Sequence, residues 1–133
     1  AGVCGPKAKL LVRERLLTEL DQEAYTDLDV TMNGEGGSAD IVSRSVARGN
    51  SYQAYRSKIT GNAPCAGHSE CDAIIADKGR VDASPELSAN NGDAALIHEA
   101  AIGKIAGEQI IKLRTLGLTE EEAEEKIVEG FLS

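Results

Sequence analysis

Gly67-His68-Ser69-Glu70-Cys71-Asp72-Ala73-Ile74-Ile75 is followed further along the chain by Ala94-Ala95-Leu96-Ile97-His98-Glu99-Ala100-Ala101-Ile102-Gly103-Lys104. Both stretches are apolar and strand-like. One cysteine, two acidic neighbours and a His-Glu pair are set into them. Cysteine and histidine are soft or borderline ligands, suited to zinc, copper(I) or iron–sulfur chemistry. A buried cysteine also packs as a small hydrophobe, so residue type alone leaves both a ligand and a core role open.

Further strands are expected upstream. Thr26, Leu28, Val30 and Met32 alternate with Tyr25, Asp27, Asp29 and Thr31, the period of a half-buried strand. A second strand runs from Ile41 to Arg48, with Val42 and Val46 on one face and the small Ser43, Ser45 and Ala47 on the other. Tyr52 to Thr60, Cys71 to Ala76, a Pro-interrupted Val81 to Leu87 and Ala94 to Ala100 complete the set. Asn33-Gly34-Glu35-Gly36-Gly37, Gly49-Asn50, Gly61-Asn62-Ala63-Pro64 and Asn90-Asn91-Gly92-Asp93 separate them as turns. Ala1 to Pro6 reads as an irregular lead-in. Lys7 to Leu20 is divided. Its Leu, Lys and Arg favour a helix, whereas Leu10, Val12, Glu14 and Leu16 alternate. Short strands parted by Gly/Asn turns suggest stacked β-rungs. No clean repeat is evident, so a sandwich or barrel fits equally well.

After Ile102 the pattern turns helical. Gly107 to Leu116 carries Ile110, Ile111 and Leu113, and Gly117 suits a helix C-terminus. Thr119 with Glu122 spells a capping box, with Leu118 placed to staple against Ala123. The second helix runs to about Phe131, with Ala123, Ile127, Val128 and Phe131 on one side. The opposite face holds Glu120, Glu121, Glu124, Glu125 and Glu129.

The 133 residues carry a formal charge of −8 and hold no Trp, one Phe and three Tyr. The core must therefore rest on Val, Ile, Leu and Ala. An acidic chain lacks the electrostatic footprint of a nucleic-acid binder. No apolar run reaches the 18 or so residues that cross a bilayer. Three cysteines, Cys4, Cys65 and Cys71, without a secreted disulfide spacing, point to a reducing cytoplasm.

Four blocks in order carry a family likeness: Ser69-Glu70-Cys71-Asp72-Ala73, His98-Glu99-Ala100, Gly103-Lys104-Ile105-Ala106-Gly107-Glu108-Gln109 and Leu116-Gly117-Leu118-Thr119-Glu120-Glu121-Glu122-Ala123. Together with Val42 to Ser51 they resemble the C-terminal core of the SufB/SufD family, scaffold subunits of the SUF iron–sulfur cluster assembly machinery. The likeness covers about Lys7 to Leu132.

The resemblance implies a mostly β fold, the last rungs of a right-handed parallel β-helix over residues 1–102, then a short C-terminal helical pair over 103–133. It also decides the Lys7–Leu20 reading in favour of strand. It implies a non-enzymatic scaffold holding a transient iron–sulfur cluster. Cys71, His98 and Glu99 map onto the cluster-binding residues, with Cys71 and Glu99 as the metal-contacting pair. It further implies docking of an ABC-type SufC ATPase on the C-terminal helices, and a SufB/SufD-type homo- or heterodimer formed through the β-helix end. Family members are usually much longer, and their sulfur-accepting cysteine would lie upstream of Ala1; Cys4 does not match its motif.

Two other readings remain: a structural or partner-docking module in which Cys71 is core, and a mononuclear metal-binding protein. The second would use Cys65-x2-His68-x2-Cys71. That triplet gives three ligands where structural zinc takes four. No hydrolase or nucleotide-binding motif is present.

Overall fold

The computed structural model describes residues 2–133. Eight strands precede two helices: β1 Gly2–Cys4, β2 Lys9–Thr18, β3 Glu23–Met32, β4 Gly37–Ala47, β5 Tyr52–Gly61, β6 Cys65–Ile75, β7 Arg80–Ala89, β8 Ala94–Lys104, α1 Gly107–Thr115 and α2 Glu120–Leu132. Odd strands form sheet A, in the order β1-β3-β5-β7, and even strands form sheet B, β2-β4-β6-β8. Every pairing is parallel. The chain thus winds as a parallel β-solenoid of four turns, each giving one strand to each sheet.

The register exposes a repeat that residue identity hides. Gly2 pairs with Val30, Val30 with Ile59 and Ile59 with Leu87, a near-constant step from rung to rung. Asn33, Asn62 and Asn90 follow the same spacing and stack at one turn. The Asn62 amide donates to Asn33 Oδ1 at 2.8 Å, and the Asn90 amide donates to Asn62 Oδ1 at 2.8 Å. At the opposite turn Leu20, Gly49 and Asp77 all take positive φ, 58°, 68° and 55°. A Cβ on Gly49 would stand 2.8 Å from the Leu20 nitrogen of the rung beneath, so close stacking requires glycine there, and glycine takes the positive φ without the strain that Leu20 and Asp77 bear.

Alternation decides which side chains face inward. In β4, Ala39, Ile41, Ser43, Ser45 and Ala47 are buried, while Ser38, Asp40, Val42 and Arg44 are only half-buried. The small-residue face is therefore the interior, and Val42 and Val46 point outward. Val46 is nevertheless 0 % exposed, because α2 packs on β4 from outside. The outer column Leu17–Val46–Ile74–Gly103 is the apolar strip at that end of sheet B, and α2 turns buried Ala123 and Val128 to the protein.

Several strands outrun their sequence signal. The lead-in contains β1, which pairs with β3. β6 begins at Cys65 instead of Cys71, because small inward residues (Cys65, Gly67, Ser69) alternate there without any hydrophobic run. β8 continues to Lys104. Pro85 is tolerated within β7, the edge strand of sheet A, where a missing N–H costs a sheet least. The divided segment is strand β2, as the alternation of Leu10, Val12, Glu14 and Leu16 demands.

At the C-terminal end the capping box is formed. Thr119 Oγ1 accepts from the Glu122 N–H, and Glu122 Oε1 accepts from the Thr119 N–H, both at 3.1 Å. Gly117 closes α1 at φ +94°, and its N–H donates to the Arg114 carbonyl at 3.0 Å. The acidic face of α2 is not wholly free. Glu125 pairs with Arg48, whose guanidinium also binds Glu19 at 3.0 Å.

Since Asn62 both donates and accepts in the asparagine stack, we predict that Asn62→Ala destabilises the fold by about 1–2 kcal/mol. Asn33→Ala and Asn90→Ala should each cost less, having one stacking bond to lose. Urea unfolding of the three variants checks this, and equal losses would remove the stack as a unit of stability.

Candidate functional site

Strand parity sorts the expected site residues into two groups. Cys71 in β6 pairs with Ala100 in β8, and Glu70 pairs with Glu99. Paired residues share a face and consecutive residues alternate. Cys71 and His98 are therefore interior, while Glu99 and His68 are on the outer face of sheet B.

The interior group occupies adjacent columns. Cys71 is 1 % exposed and lies in the column Glu14–Ser43–Cys71–Ala100. His98 ends the neighbouring column Val12–Ile41–Ser69–His98. It stands on the last rung, where the stack ends and its imidazole is half-buried. Both of its ring nitrogens are buried without a hydrogen-bond partner among the described residues. Burial lowers its pKa, reinforced by repulsion from His68 and only partly offset by Glu99, so the neutral, ligand-competent ring is favoured. Burial also pushes the Cys71 thiol up to about 11, with Asp72 and Glu14 adding to the effect. Coordination to a metal removes such a proton outright; water alone leaves it in place.

Glu14 belongs to no motif, yet it joins the interior group. It points inward from β2, where Ser43 Oγ donates to Oε1 at 2.7 Å and Thr26 Oγ1 donates to Oε2 at 3.0 Å. Nearby, the Tyr55 hydroxyl is buried without a hydrogen-bond partner among the described residues, and the Ser57 and Ser69 hydroxyls stand 3.5 Å from each other. The signal for Glu14 is the rung spacing, which sets it directly under Ser43 and Ser43 under Cys71.

The outer group is a ladder of charge. Arg13 donates to Asp40 at 2.8 Å, and Asp40 Oδ1 accepts from His68 Nδ1 at 2.7 Å. His68 Nε2 stands 3.5 Å from Glu99 Oε2. The Asp40 hydrogen bond holds the His68 pKa above its ordinary value; partial desolvation opposes this and Glu99 assists.

The three-ligand Cys65–His68–Cys71 arrangement does not assemble. Cys65 and Cys71 point inward and His68 outward, and the run of strand between the two cysteines separates their sulfurs by about 20 Å. Among the described residues no group of three His, Cys, Asp or Glu side chains is close enough to hold a metal ion. Cys71 and Glu99 likewise lie on opposite faces of one sheet. Among the described residues no helix is long and apolar enough to cross a membrane.

The structural class is a parallel β-solenoid whose last rung bears an interior histidine without a partner among the described residues, in the column next to that of a buried cysteine. Residues 2–131 match the family model described as SUF system FeS cluster assembly, SufBD core domain. An iron–sulfur cluster assembly SufBD family protein of Methanothermobacter thermautotrophicus is 42 % identical over 106 residues, 78 % of this chain and 26 % of that protein. One from Archaeoglobus fulgidus is 45 % identical over 101 residues, 74 % of this chain and 27 % of its own. One from Mycobacterium bovis is 34 % identical over 116 residues, 84 % and 14 %. The chain belongs to the SufBD family of iron–sulfur cluster assembly proteins, and it spans about a quarter or less of the length of these curated relatives.

With its pKa near 11, Cys71 holds roughly one thiolate per thousand at pH 8. We predict that iodoacetamide labels it in the folded protein at least a hundredfold more slowly than in urea, with the folded-state rate still climbing above pH 10. Peptide mass mapping locates the label; a rate that levels off near pH 8.5 would show an ordinary, accessible thiol.

Proposed function

We propose that this chain is the cluster-building part of an iron–sulfur assembly scaffold, with Cys71 as its thiolate ligand and His98 as a neighbouring nitrogen donor. The observation that carries this reading is a secluded thiol with, one rung on and in the neighbouring column, an imidazole whose two nitrogens have no partner among the described residues, at the open end of the solenoid. A buried polar group without a partner costs free energy, and an incoming iron ion would relieve that cost. The cluster is cargo: a scaffold needs few ligands, so that what is assembled can leave. The protein then acts as an assembly platform and not as an enzyme, in the cytoplasm.

Glu99 enters on the same reading as an edge donor. Strands β7 and β8 are the last in their sheets and present unpaired backbone groups, which a second SufB/SufD-type subunit, identical or related, would cover. Partner side chains would complete the coordination. Anaerobic reconstitution with iron and sulfide tests the core of the proposal. Cys71→Ala should lose most of the iron and sulfide retained by the parent, with its far-UV spectrum unchanged, and His98→Ala should lose a smaller share. Cys65→Ser should match the parent. A folded Cys71→Ala protein that retains the parental cluster content would end this assignment.

The helical pair is the proposed docking surface for a SufC-type ATPase of the ABC class. Ile111 and Leu116 of the α1 segment are exposed, and Glu120, Glu121 and Glu129 present negative charge. Acidic groups steer encounter with a basic partner, so the on-rate falls with salt. Glu125 is tied to Arg48, so the informative substitutions are Glu121→Lys with Glu124→Lys. We predict slower ATPase association and a flatter salt dependence with the fold intact. Unchanged association rates at low and high salt would assign docking to the apolar residues alone.

A further inference from the structure

The dipeptide Asn-Gly occurs twice, at Asn33-Gly34 and Asn91-Gly92, both times in a turn that leads from sheet A to sheet B. Glycine has no side chain to hinder its own amide nitrogen, so at such a pair the asparagine side chain can close on the following peptide bond. The two copies have different surroundings. Asn33 belongs to the asparagine stack. Its Oδ1 accepts from the Asn62 amide on the next rung at 2.8 Å, and its N–H donates to the Cys4 carbonyl at 3.1 Å. Gly34 is buried, and a Cβ placed on it would lie 2.0 Å from the Pro6 nitrogen. Backbone packs on backbone there, and the Asn33 amide is drawn along the stack instead of over Gly34.

Asn91 stands one residue past the last asparagine of the stack. Its Oδ1 accepts from the Asp93 N–H at 2.9 Å, the bond of an Asx turn, which folds the side chain back over its own backbone. Cγ is thereby held on the side of the Gly92 nitrogen. The donor on Oδ1 is in place for the negative charge that develops there on attack. Gly92 is exposed, and a Cβ on it would meet nothing within 4 Å, so backbone movement and access of water are both unobstructed. We propose that Asn91-Gly92 is a site of spontaneous covalent modification whose isoaspartyl product loosens the last rung. The Gly92 nitrogen bonds to Asn91 Cγ, the Cγ–Nδ2 bond breaks, and the proton lost from Gly92 leaves with Nδ2 as ammonia. Water then opens the cyclic imide at either carbonyl, giving aspartate or isoaspartate. No oxidant, metal or enzyme takes part, and neither Cys71 nor His98 is involved.

Isoaspartate threads the main chain through its former side chain and adds one methylene between Asn90 and Ala94. The Asn91 carbonyl accepts from the Ala94 N–H at 3.0 Å, the contact from which β8 starts, and β8 is paired on one side only. A lengthened turn therefore releases the start of β8 from its register on β6.

The full chain is incubated with its thiols reduced, at mildly alkaline pH, folded and in urea. The tryptic peptides Leu16–Arg44 and Val81–Lys104 report Asn33 and Asn91 separately, by a mass gain of one dalton and by labelling with an isoaspartate-specific carboxyl methyltransferase. In urea the two sites should react at closely similar rates. In the folded protein Asn33 should fall at least tenfold behind Asn91. Gly92→Ala, for which the space is open and φ is not positive, should slow Asn91 at least tenfold without loss of stability. Hydrogen exchange at the first amides of β8 should be at least tenfold faster in the isoaspartyl protein. Asn91→Asp, with the charge but not the methylene, should leave it unchanged. Equal rates at Asn33 and Asn91 in the folded protein would overturn the proposal, as would an Asn91 rate more than tenfold below that in urea. Unchanged exchange in the isoaspartyl protein would overturn the loosening of the last rung.

Discussion

A parallel ladder sets each residue of a rung directly over its equivalent on the rung before. Every other feature of this protein depends on that constraint. It fixes side-chain direction without regard to residue type, and it turns positions far apart in sequence into columns. A residue that fits at one level must be compatible with those above and below. Gly49 meets this by having no Cβ to strike Leu20, and the asparagines meet it by bonding to their own kind. Because one added residue would reverse inside and outside for the rest of a strand, the turns are as strictly specified as the strands.

The constraint also explains how a chain so poor in aromatics builds an interior. Two sheets face each other inside the coil, and Ala, Ser, Val, Ile and Cys fill most inward positions, with Met32 and Tyr55 as the larger buried side chains. Ser43, Ser51, Ser57 and Ser69 are all buried. Burying hydroxyls costs free energy unless they are paired, and most here are. Thr18 donates to Ser51 at 2.9 Å, while Gln53 donates to Thr18 at 2.9 Å and to the Val46 carbonyl at 3.0 Å. The exceptions, Tyr55 Oη and the His98 ring, are informative because the rest of the interior is so well satisfied.

Alternation makes the fold legible where it runs through apolar residues, as in Thr26–Met32, and the capping box at Thr119–Glu122 is visible as spelled. It fails where inward positions are small and polar. Cys65, Gly67 and Ser69 carry no hydrophobic signal, so the first half of β6 looks like loop although it is laddered on both sides. The repeat is hidden for a related reason. It lives in spacing and backbone conformation, shared by Leu20, Gly49 and Asp77, three residues with nothing chemical in common. Likeness to a family supplies the solenoid and names Cys71, His98 and Glu99 together. Which of them face one another is a matter of register, and register is not written in any one strand. Glu14, Asp40 and Tyr55 stay unmarked in the sequence because their significance comes from neighbours one or two rungs away.

The His98-Glu99 dipeptide carries the same constraint into chemistry. Adjacent residues on a strand address opposite faces, so within one sheet they serve two environments: His98 the interior with Cys71, Glu99 the outer face with His68. Only an object that meets the edge of the sheet can touch both. β8 is that edge in sheet B, whereas β6 is enclosed between β4 and β8. The column above Cys71 ends in Ala100, so a single methyl group stands between the thiol and the end of the stack. A larger residue at that position would close the interior, and on any inner strand the dipeptide would be divided by the sheet itself. Placing it on the last rung leaves the histidine, the glutamate and, past a single alanine, the cysteine at one end of the stack.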